Sequence, residues 1–74
     1  MDAGKTGAYL AALRKARGMT QQEAADQLGV SNKTVSKWEN GAGLPDITVL
    51  PALAELYGVT ADDILAGETL RGRP

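Results

Sequence analysis

Five glycines divide the chain into short segments, each of which spaces its apolar residues at the helical period of about 3.6. These glycines are Gly18, Gly29, Gly41, Gly58 and Gly67. Many helices end at a residue with a left-handed backbone, which glycine adopts without steric cost. Residue types that begin helices stand between them: Thr20 to Glu23 matches a capping box, and N-cap types occur at Ser31, Asp46 and Thr60. The glycines and caps therefore restrict the chain to a series of short helices.

The pattern predicts five helices and no strand, because β-branched residues never alternate with polar residues over a useful length. The predicted helices run from Thr6 to Arg17, Gln21 to Leu28, Asn32 to Asn40, about Leu50 to Tyr57, and Ala61 to Ala66. Pro51 fits the first turn of the fourth helix, where its missing N–H matters little. In the fifth helix, Ile64 and Leu65 are expected to face inward. The predicted fold class is all-α, a compact five-helix domain over residues 6–67, with flexible ends at 1–5 and 68–74.

Composition narrows the possible functions. A chain of 74 residues, 43% of them hydrophobic, has the size of one small globular domain. The sequence contains no cysteine and no histidine, which removes the commonest metal ligands and the commonest catalytic base. No apolar run approaches the roughly 18 residues of a membrane span, and no signal-peptide pattern opens the chain. We therefore expect a cytoplasmic protein that is not an enzyme and that binds no cofactor or metal.

Three features that suggest chemistry have simpler structural explanations. Gly4-Lys5-Thr6 resembles the end of a phosphate-binding loop, but no predicted strand leads into it. Asp62-Asp63 falls in a predicted first turn, where acidic side chains favour the positive end of the helix dipole. Trp38 follows Val35 by three positions and is expected to anchor the core rather than to stack on a base.

Charge is distributed unevenly, although the formal net charge is only −1. Residues 1–41 carry six cationic and four anionic side chains, whereas residues 42–74 carry two cationic and five anionic ones. This asymmetry is compatible with a basic face opposite an acidic one, and equally with simple scatter.

The third predicted helix combines a narrow apolar side with a wide polar one. At 100° per residue, Val35 and Trp38 define its buried side. The residues opposite or flanking are Asn32, Lys33, Ser36, Lys37 and Asn40. Amide, ammonium and hydroxyl groups read base edges in the major groove of DNA, and that groove admits a helix. An ordinary solvated face is the alternative, although such faces commonly mix glutamate with lysine.

The segment from Gln21 to Asn40, QQEAADQLGVSNKTVSKWEN, resembles the helix-turn-helix of the lambda-type phage repressor and Cro family, also called XRE-like regulators. Ala25 and Gly29 stand where that motif has a small residue and a turn glycine. The motif's apolar positions are filled by Ala24, Leu28, Val30, Val35 and Trp38. The flanking stretches LRKARGMTQ and LPALAELYGVTADDILAG extend the resemblance over residues 7–67.

The resemblance implies a lambda repressor-like DNA-binding domain, a transcriptional regulator and most simply a repressor, acting as a homodimer on a palindromic operator. The implied base-reading residues are Asn32, Lys33, Ser36 and Lys37. The implied phosphate contacts are Gln21, Gln22, Thr34 and Asn40. A structural ion pair is implied between Arg14 and Glu39. Dimer contacts are expected from the fifth helix and neighbouring loops, around Thr60 to Leu70.

The chain is less basic than binding domains of this family often are, so we expect few phosphate contacts and modest affinity per monomer. The alternative interpretation is a protein–protein interaction module of antitoxin or adaptor type with the same fold. Salt distinguishes the two, because DNA binding weakens steeply with ionic strength and an apolar protein contact does not.

Overall fold

The computed structural model describes residues 1–70, which contain five α-helices and no β-strand. The helices are α1 (Ala3–Ala16), α2 (Gln21–Leu28), α3 (Asn32–Glu39), α4 (Leu50–Tyr57) and α5 (Ala61–Ala66). The prediction of an all-α, five-helix fold is confirmed. The bounds of α2, α4 and α5 agree with the predicted ones, and α3 ends one residue earlier because Asn40 is its C-cap.

Side-chain caps fix the starts of α2, α3 and α5. The Thr20 hydroxyl accepts a hydrogen bond from the Glu23 N–H at 3.0 Å, and the Glu23 carboxylate accepts one from the Thr20 N–H at 2.8 Å. Thr60 and Asp63 form the same reciprocal box at α5. Ser31 caps α3 through its side chain alone. These bonds satisfy N–H groups that a helix start leaves unpaired, so the helices begin at defined residues.

Helix α1 begins at Ala3, three residues before the predicted start at Thr6. Its N-cap is Asp2, whose carboxylate accepts a hydrogen bond from the Lys5 N–H at 3.0 Å. The segment 1–5, expected to be flexible, therefore supplies the first turn of α1. An N-terminal Asp followed by Ala was a sequence signal for this start.

The chain after α5 returns to α1. Lys5 Nζ donates to the Glu68 carboxylate at 3.2 Å, and the hydroxyls of Tyr9 and Thr69 lie 3.0 Å apart. The segment 68–74, predicted as a flexible tail, thus begins with residues that contact the domain. Residues 71–74 lie outside the described part of the chain.

Helix α4 starts after a turn. The Asp46 carboxylate accepts hydrogen bonds from the backbone N–H and the hydroxyl of Thr48 at 3.0 and 3.2 Å, and the regular helix begins at Leu50. Pro51 lies in the first turn, where its missing N–H breaks no bond. This arrangement lets α4 direct Leu50 and Leu53 into the core.

One hydrophobic core receives a buried side chain from every helix. Its most deeply buried members, in helix order, are Leu10, Ala25, Val35, Leu53 and Ile64. Trp38 is 7% exposed, which confirms its predicted role as a core anchor. Leu65 is 38% exposed, so the prediction that it faces inward is wrong. Successive helical residues lie about 100° apart, and the neighbouring Ile64 takes the inward position in α5.

Candidate nucleic-acid interface

A tight turn joins α2 to α3. Gly29 has a φ of +71°, a left-handed conformation in which most side chains are strained. The Val30 N–H donates to the Ala25 carbonyl oxygen at 3.1 Å, and the Val30 side chain packs against the core. Ala24 and Ala25 are completely buried, which lets α2 lie close to its neighbours. The predicted turn is confirmed, and its geometry is that of a helix-turn-helix.

Helix α3 buries one side and presents the other to solvent. Val35 and Trp38 lie in the core, as predicted. The side that we call the polar face of α3 consists of Asn32, Lys33, Ser36, Lys37 and Asn40. All of these residues are exposed except Ser36, which is half-buried. The four residues that the resemblance assigns to base reading therefore share one surface.

The polar face keeps its cationic groups available. The two ion pairs within residues 1–70 involve neither Lys33 nor Lys37. Asn40 Nδ2 donates to Ser36 Oγ at 3.3 Å, a long bond that leaves the Asn40 carbonyl oxygen and its second amide hydrogen for other partners. No member of the face is acidic, so its field favours an anionic partner.

Two of the residues assigned to phosphate contacts, Thr34 and Gln22, already have partners in the chain. Thr34 is half-buried, and its hydroxyl lies 2.9 Å from the Ser31 hydroxyl. Gln22 is exposed, and its Nε2 donates to Asp26 Oδ1 at 2.8 Å. The bond between Gln22 and Asp26 was not predicted, although Gln and Asp four residues apart on a helix are a recognisable pair.

A buried network centred on Glu39 joins three helices. Arg14 Nε and Nη2 donate to Glu39 Oε2 and Oε1 at 2.8 and 3.0 Å, and Arg14 Nη1 donates to the Met19 carbonyl at 2.8 Å. Gln21 Nε2 also donates to Glu39 Oε1, at 3.0 Å. The side chains of Arg14 and Glu39 are only 12% and 5% exposed. The network connects the end of α1, the start of α2 and the end of α3, and it includes the ion pair that the resemblance implies.

The network keeps Glu39 ionised. Burial, the largest influence, would raise the pKa of Glu39, but hydrogen bonds from Arg14 and Gln21 and the charges of Arg14 and Lys15 bring it below its usual value of 4.5. The hydrogen bond to Glu39 raises the pKa of Arg14. Burial raises the pKa of the Tyr57 hydroxyl, with a smaller contribution from Glu39. At neutral pH the pair is therefore charged despite its burial.

Residues 1–70 contain neither a candidate metal site nor a helix that could span a membrane. No cluster of three or more histidine, cysteine, aspartate or glutamate side chains there could hold a metal ion. The helices of the same region are too short or too polar to cross a membrane.

Known proteins with related sequences are transcriptional regulators. Residues 10–64 match the family model HTH_3, described as Helix-turn-helix. The chain is 41% identical over 58 residues to the HTH-type transcriptional activator BcrR of Enterococcus faecalis, covering 78% of this chain and 28% of that protein. It is 36% identical over 55 residues to the cryptic phage CTXphi transcriptional repressor RstR of Vibrio cholerae, covering 74% of this chain and 49% of that protein. The chain thus spans about a quarter to a half of the length of these two relatives.

A solved structure shares the fold along almost its whole length. The restriction-modification controller protein C.AhdI from Aeromonas hydrophila matches with a TM-score of 0.78 and 25% identity, over 85% of this chain and 96% of that one. The region matched by the family model includes the turn at Gly29 and the entire polar face of α3. Turn geometry, fold and sequence thus agree, and the chain belongs to the HTH_3 helix-turn-helix family, of the XRE-like type that its sequence resembles.

Proposed function

We propose that the chain is a transcriptional regulator that binds double-stranded DNA in a sequence-specific manner and reads the major groove with α3. The polar face of α3 carries this proposal, because two unpaired lysines and three short hydrogen-bonding side chains lie on one surface. The major groove is about 12 Å wide and admits a helix. Val35 and Trp38 fix α3 in the core, so the face is presented by a rigid element.

Base reading falls to four side chains of this face. The ammonium groups of Lys33 and Lys37 suit guanine O6 and N7, and the Asn32 amide suits the N6 and N7 edge of adenine. The Ser36 hydroxyl can donate or accept, and its bond to Asn40 leaves it in place to do either.

Phosphate contacts would flank the reading residues. Gln21, Gln22, Thr34 and Asn40 place amides and hydroxyls at the starts of α2 and α3 and at the end of α3. Each is at least partly exposed, and each glutamine amide keeps a second N–H beyond its intramolecular bond. Such neutral contacts set the register of the protein on the duplex. The salt dependence would therefore come from cationic side chains close to phosphates rather than from these four residues.

We propose that two copies act together on a palindromic operator. One polar face with two lysines gives modest affinity, and two faces on half-sites one helical turn apart, about 34 Å, would bind far more tightly. Leu65 in α5 and Leu70 after it are 38% and 47% exposed. These two apolar side chains would belong to the dimer contact, which we place in the segment from Thr60 to Leu70.

Regulation would follow from occupancy of the operator rather than from catalysis. The chain would work in the cytoplasm, where bacterial and phage operators are found. Repression is the simpler outcome, because a protein bound over a promoter blocks it without any further contact. The relatives described above include both an activator and a repressor by name.

Selection of duplexes from a random pool, followed by anisotropy titration at several salt concentrations, tests the proposal. We expect the recovered duplexes to share a two-fold symmetric motif. The logarithm of the binding constant should fall linearly with the logarithm of salt concentration, by about 0.9 for each phosphate neutralised. Recovery of random sequences, or binding that is insensitive to salt, would contradict the proposal and favour the protein–protein interaction module.

A further inference from the structure

The Glu39 carboxylate accepts hydrogen bonds from two side chains of different character. Its Oε1 atom accepts from Arg14 Nη2 and from Gln21 Nε2, both at 3.0 Å. Arg14 is nearly as buried as Glu39, whereas Gln21 is half-buried and begins α2. The carboxylate therefore connects a buried ion pair to a side chain that reaches the surface.

We propose that Glu39 is a positioning residue for DNA binding: it holds the Gln21 carboxamide so that its second N–H is directed to a phosphate of the DNA backbone. This inference rests on the proposed DNA-binding function and deepens it. Glu39 itself touches no DNA in this arrangement. It acts through Gln21, and the Arg14–Glu39 pair gains a role in binding besides its role in the fold.

Rigidity is the physical basis of this role. A free glutamine side chain samples many rotamers and loses that freedom when it contacts a ligand. Glu39 is a fixed anchor, because its side chain is 5% exposed and both carboxylate oxygens are bound to Arg14. One Gln21 amide hydrogen is used on Glu39 and the other remains available. Part of the conformational entropy that the Gln21 side chain would lose on binding is therefore already lost in the free protein. This raises the affinity for DNA.

Charge around Glu39 is balanced in a way that permits a phosphate nearby. An isolated carboxylate beside Gln21 would repel a phosphate. Arg14 neutralises this carboxylate through two hydrogen bonds, and Lys15 is close enough for its charge to favour the ionised form. Lys15 is exposed and belongs to neither ion pair within residues 1–70, so its positive charge adds to the field near the neutralised carboxylate.

The hydrogen bond between Gln21 and Glu39 also links a proposed contact with the DNA backbone to α3, the proposed reading helix. Gln21 begins α2 and Glu39 ends α3, so the hydrogen bond fixes a phosphate contact relative to the polar face. Gln22 differs in this respect, because its amide is bound to Asp26 on its own helix. A phosphate held by Gln21 would thus set the register of α3 on the duplex.

A double-mutant cycle tests the positioning role. The variants are Gln21→Met, which removes both amide hydrogens at similar length, Glu39→Gln, and the two combined, each titrated against a selected duplex. Gln21→Met should weaken binding about five- to tenfold in the wild-type background and at most about twofold in the Glu39→Gln background. Equal losses in the two backgrounds would overturn the inference. Gln27→Met, an exposed glutamine of the same helix outside the interface, should leave affinity unchanged.

A second variant covers the case in which Glu39→Gln does not fold, since it leaves Arg14 without its charged partner. Gln21→Asn keeps the carboxamide but is one methylene shorter, so it cannot reach both Glu39 and a phosphate. Binding as weak as that of Gln21→Met supports the positioning role. Wild-type affinity in Gln21→Asn would overturn it.

The free protein gives a readout that is independent of DNA. In NMR spectra the side-chain amide protons of Gln21 should differ from those of Gln27 and should shift in Glu39→Gln; unchanged Gln21 signals would overturn the inference. If the wild-type chain selects no duplex, the proposed function fails and the positioning role fails with it. If the wild-type chain binds a selected duplex tightly and the cycle is additive, only the positioning role fails.

Discussion

Gly7 in α1 packs directly against the carbonyl oxygens of Trp38 and Glu39 at the end of α3. A Cβ atom at residue 7 would lie 2.9 Å from the Glu39 oxygen and closer still to the Trp38 oxygen. The missing side chain is therefore what allows α1 to approach α3 so closely. About two turns further along α1, Arg14 reaches the Glu39 side chain. The orientation of α3 thus depends on two contacts with α1, the close approach at Gly7 and the ion pair of Arg14 with Glu39.

Gly7→Ala should lower the free energy of unfolding by about 1–3 kcal/mol, because the added methyl overlaps backbone atoms that cannot move freely. The greater helix propensity of alanine opposes this loss by about 1 kcal/mol. Denaturation by urea measures the difference. Gly4→Ala is the matched control in the same helix: its Cβ would lie 3.4 Å from Asp2 Oδ1, and stability should stay constant or rise. Equal stability of the two variants would contradict the close approach at Gly7.

The Arg14–Glu39 pair predicts a specific dependence of stability on pH. The pKa of Glu39 in the folded chain lies below its usual value of 4.5, so its contribution is complete above that value and disappears as pH falls through the folded pKa. The raised pKa of Arg14 has no effect in this range, because the guanidinium stays charged. Glu39→Gln should be less stable than wild type by about 3–5 kcal/mol at pH 7. The difference should shrink as pH falls below 4.5.

Denaturant unfolding between pH 7 and pH 3 measures this difference. Glu55→Gln is a suitable control, because Glu55 is exposed and belongs to neither ion pair within residues 1–70. Its stability curve should run nearly parallel to that of the wild type. A gap between wild type and Glu39→Gln that stays constant over the whole range would show that the carboxylate charge is not what stabilises the fold.

Local signals were sufficient to predict most helix ends. Gly29 and the box of Thr20 with Glu23 act within a few residues of the backbone that they shape, so the bounds of α2 followed from the sequence. The start of α1 differs from the predicted one because Asp2 caps the helix from outside the predicted bounds. Leu65 was misplaced because apolar character alone does not decide which of two neighbouring residues a short helix turns inward.

The two sides of α3 were also predictable, since helical periodicity separates Val35 and Trp38 from the lysines. The hydrogen-bond partner of Gln21 was not predictable from the sequence. Gln21 and Glu39 lie 18 residues apart in sequence and meet only because α1, α2 and α3 pack together. No local pattern encodes that meeting, and even the family resemblance supplied the ion pair with Arg14 without the glutamine. Contacts between helices therefore needed the structure.

Lys33→Ala and Lys37→Ala should each weaken binding to a selected duplex by about 1–3 kcal/mol, because a base contact or a phosphate contact is lost. A lysine on a base edge should relax specificity at one position, whereas a lysine on a phosphate should reduce the salt slope by about 1. Lys5→Ala is the matched control, since Lys5 is exposed but its charge is paired with Glu68 and it does not belong to the polar face. If all three variants bind like wild type, α3 is not the reading helix.

Replacement of Leu65 tests the proposed dimer. Leu65→Ser removes apolar surface from α5 and should weaken self-association about tenfold, a loss of the size expected for a central interface residue. Sedimentation equilibrium measures the association, and operator binding should weaken in parallel because paired half-sites need both copies. Leu44→Ser makes the same change at a residue of similar exposure, 43%, in the loop between α3 and α4, and should leave self-association unchanged. A wild-type chain that stays monomeric at high concentration and binds single half-sites as well as palindromes would exclude the dimer.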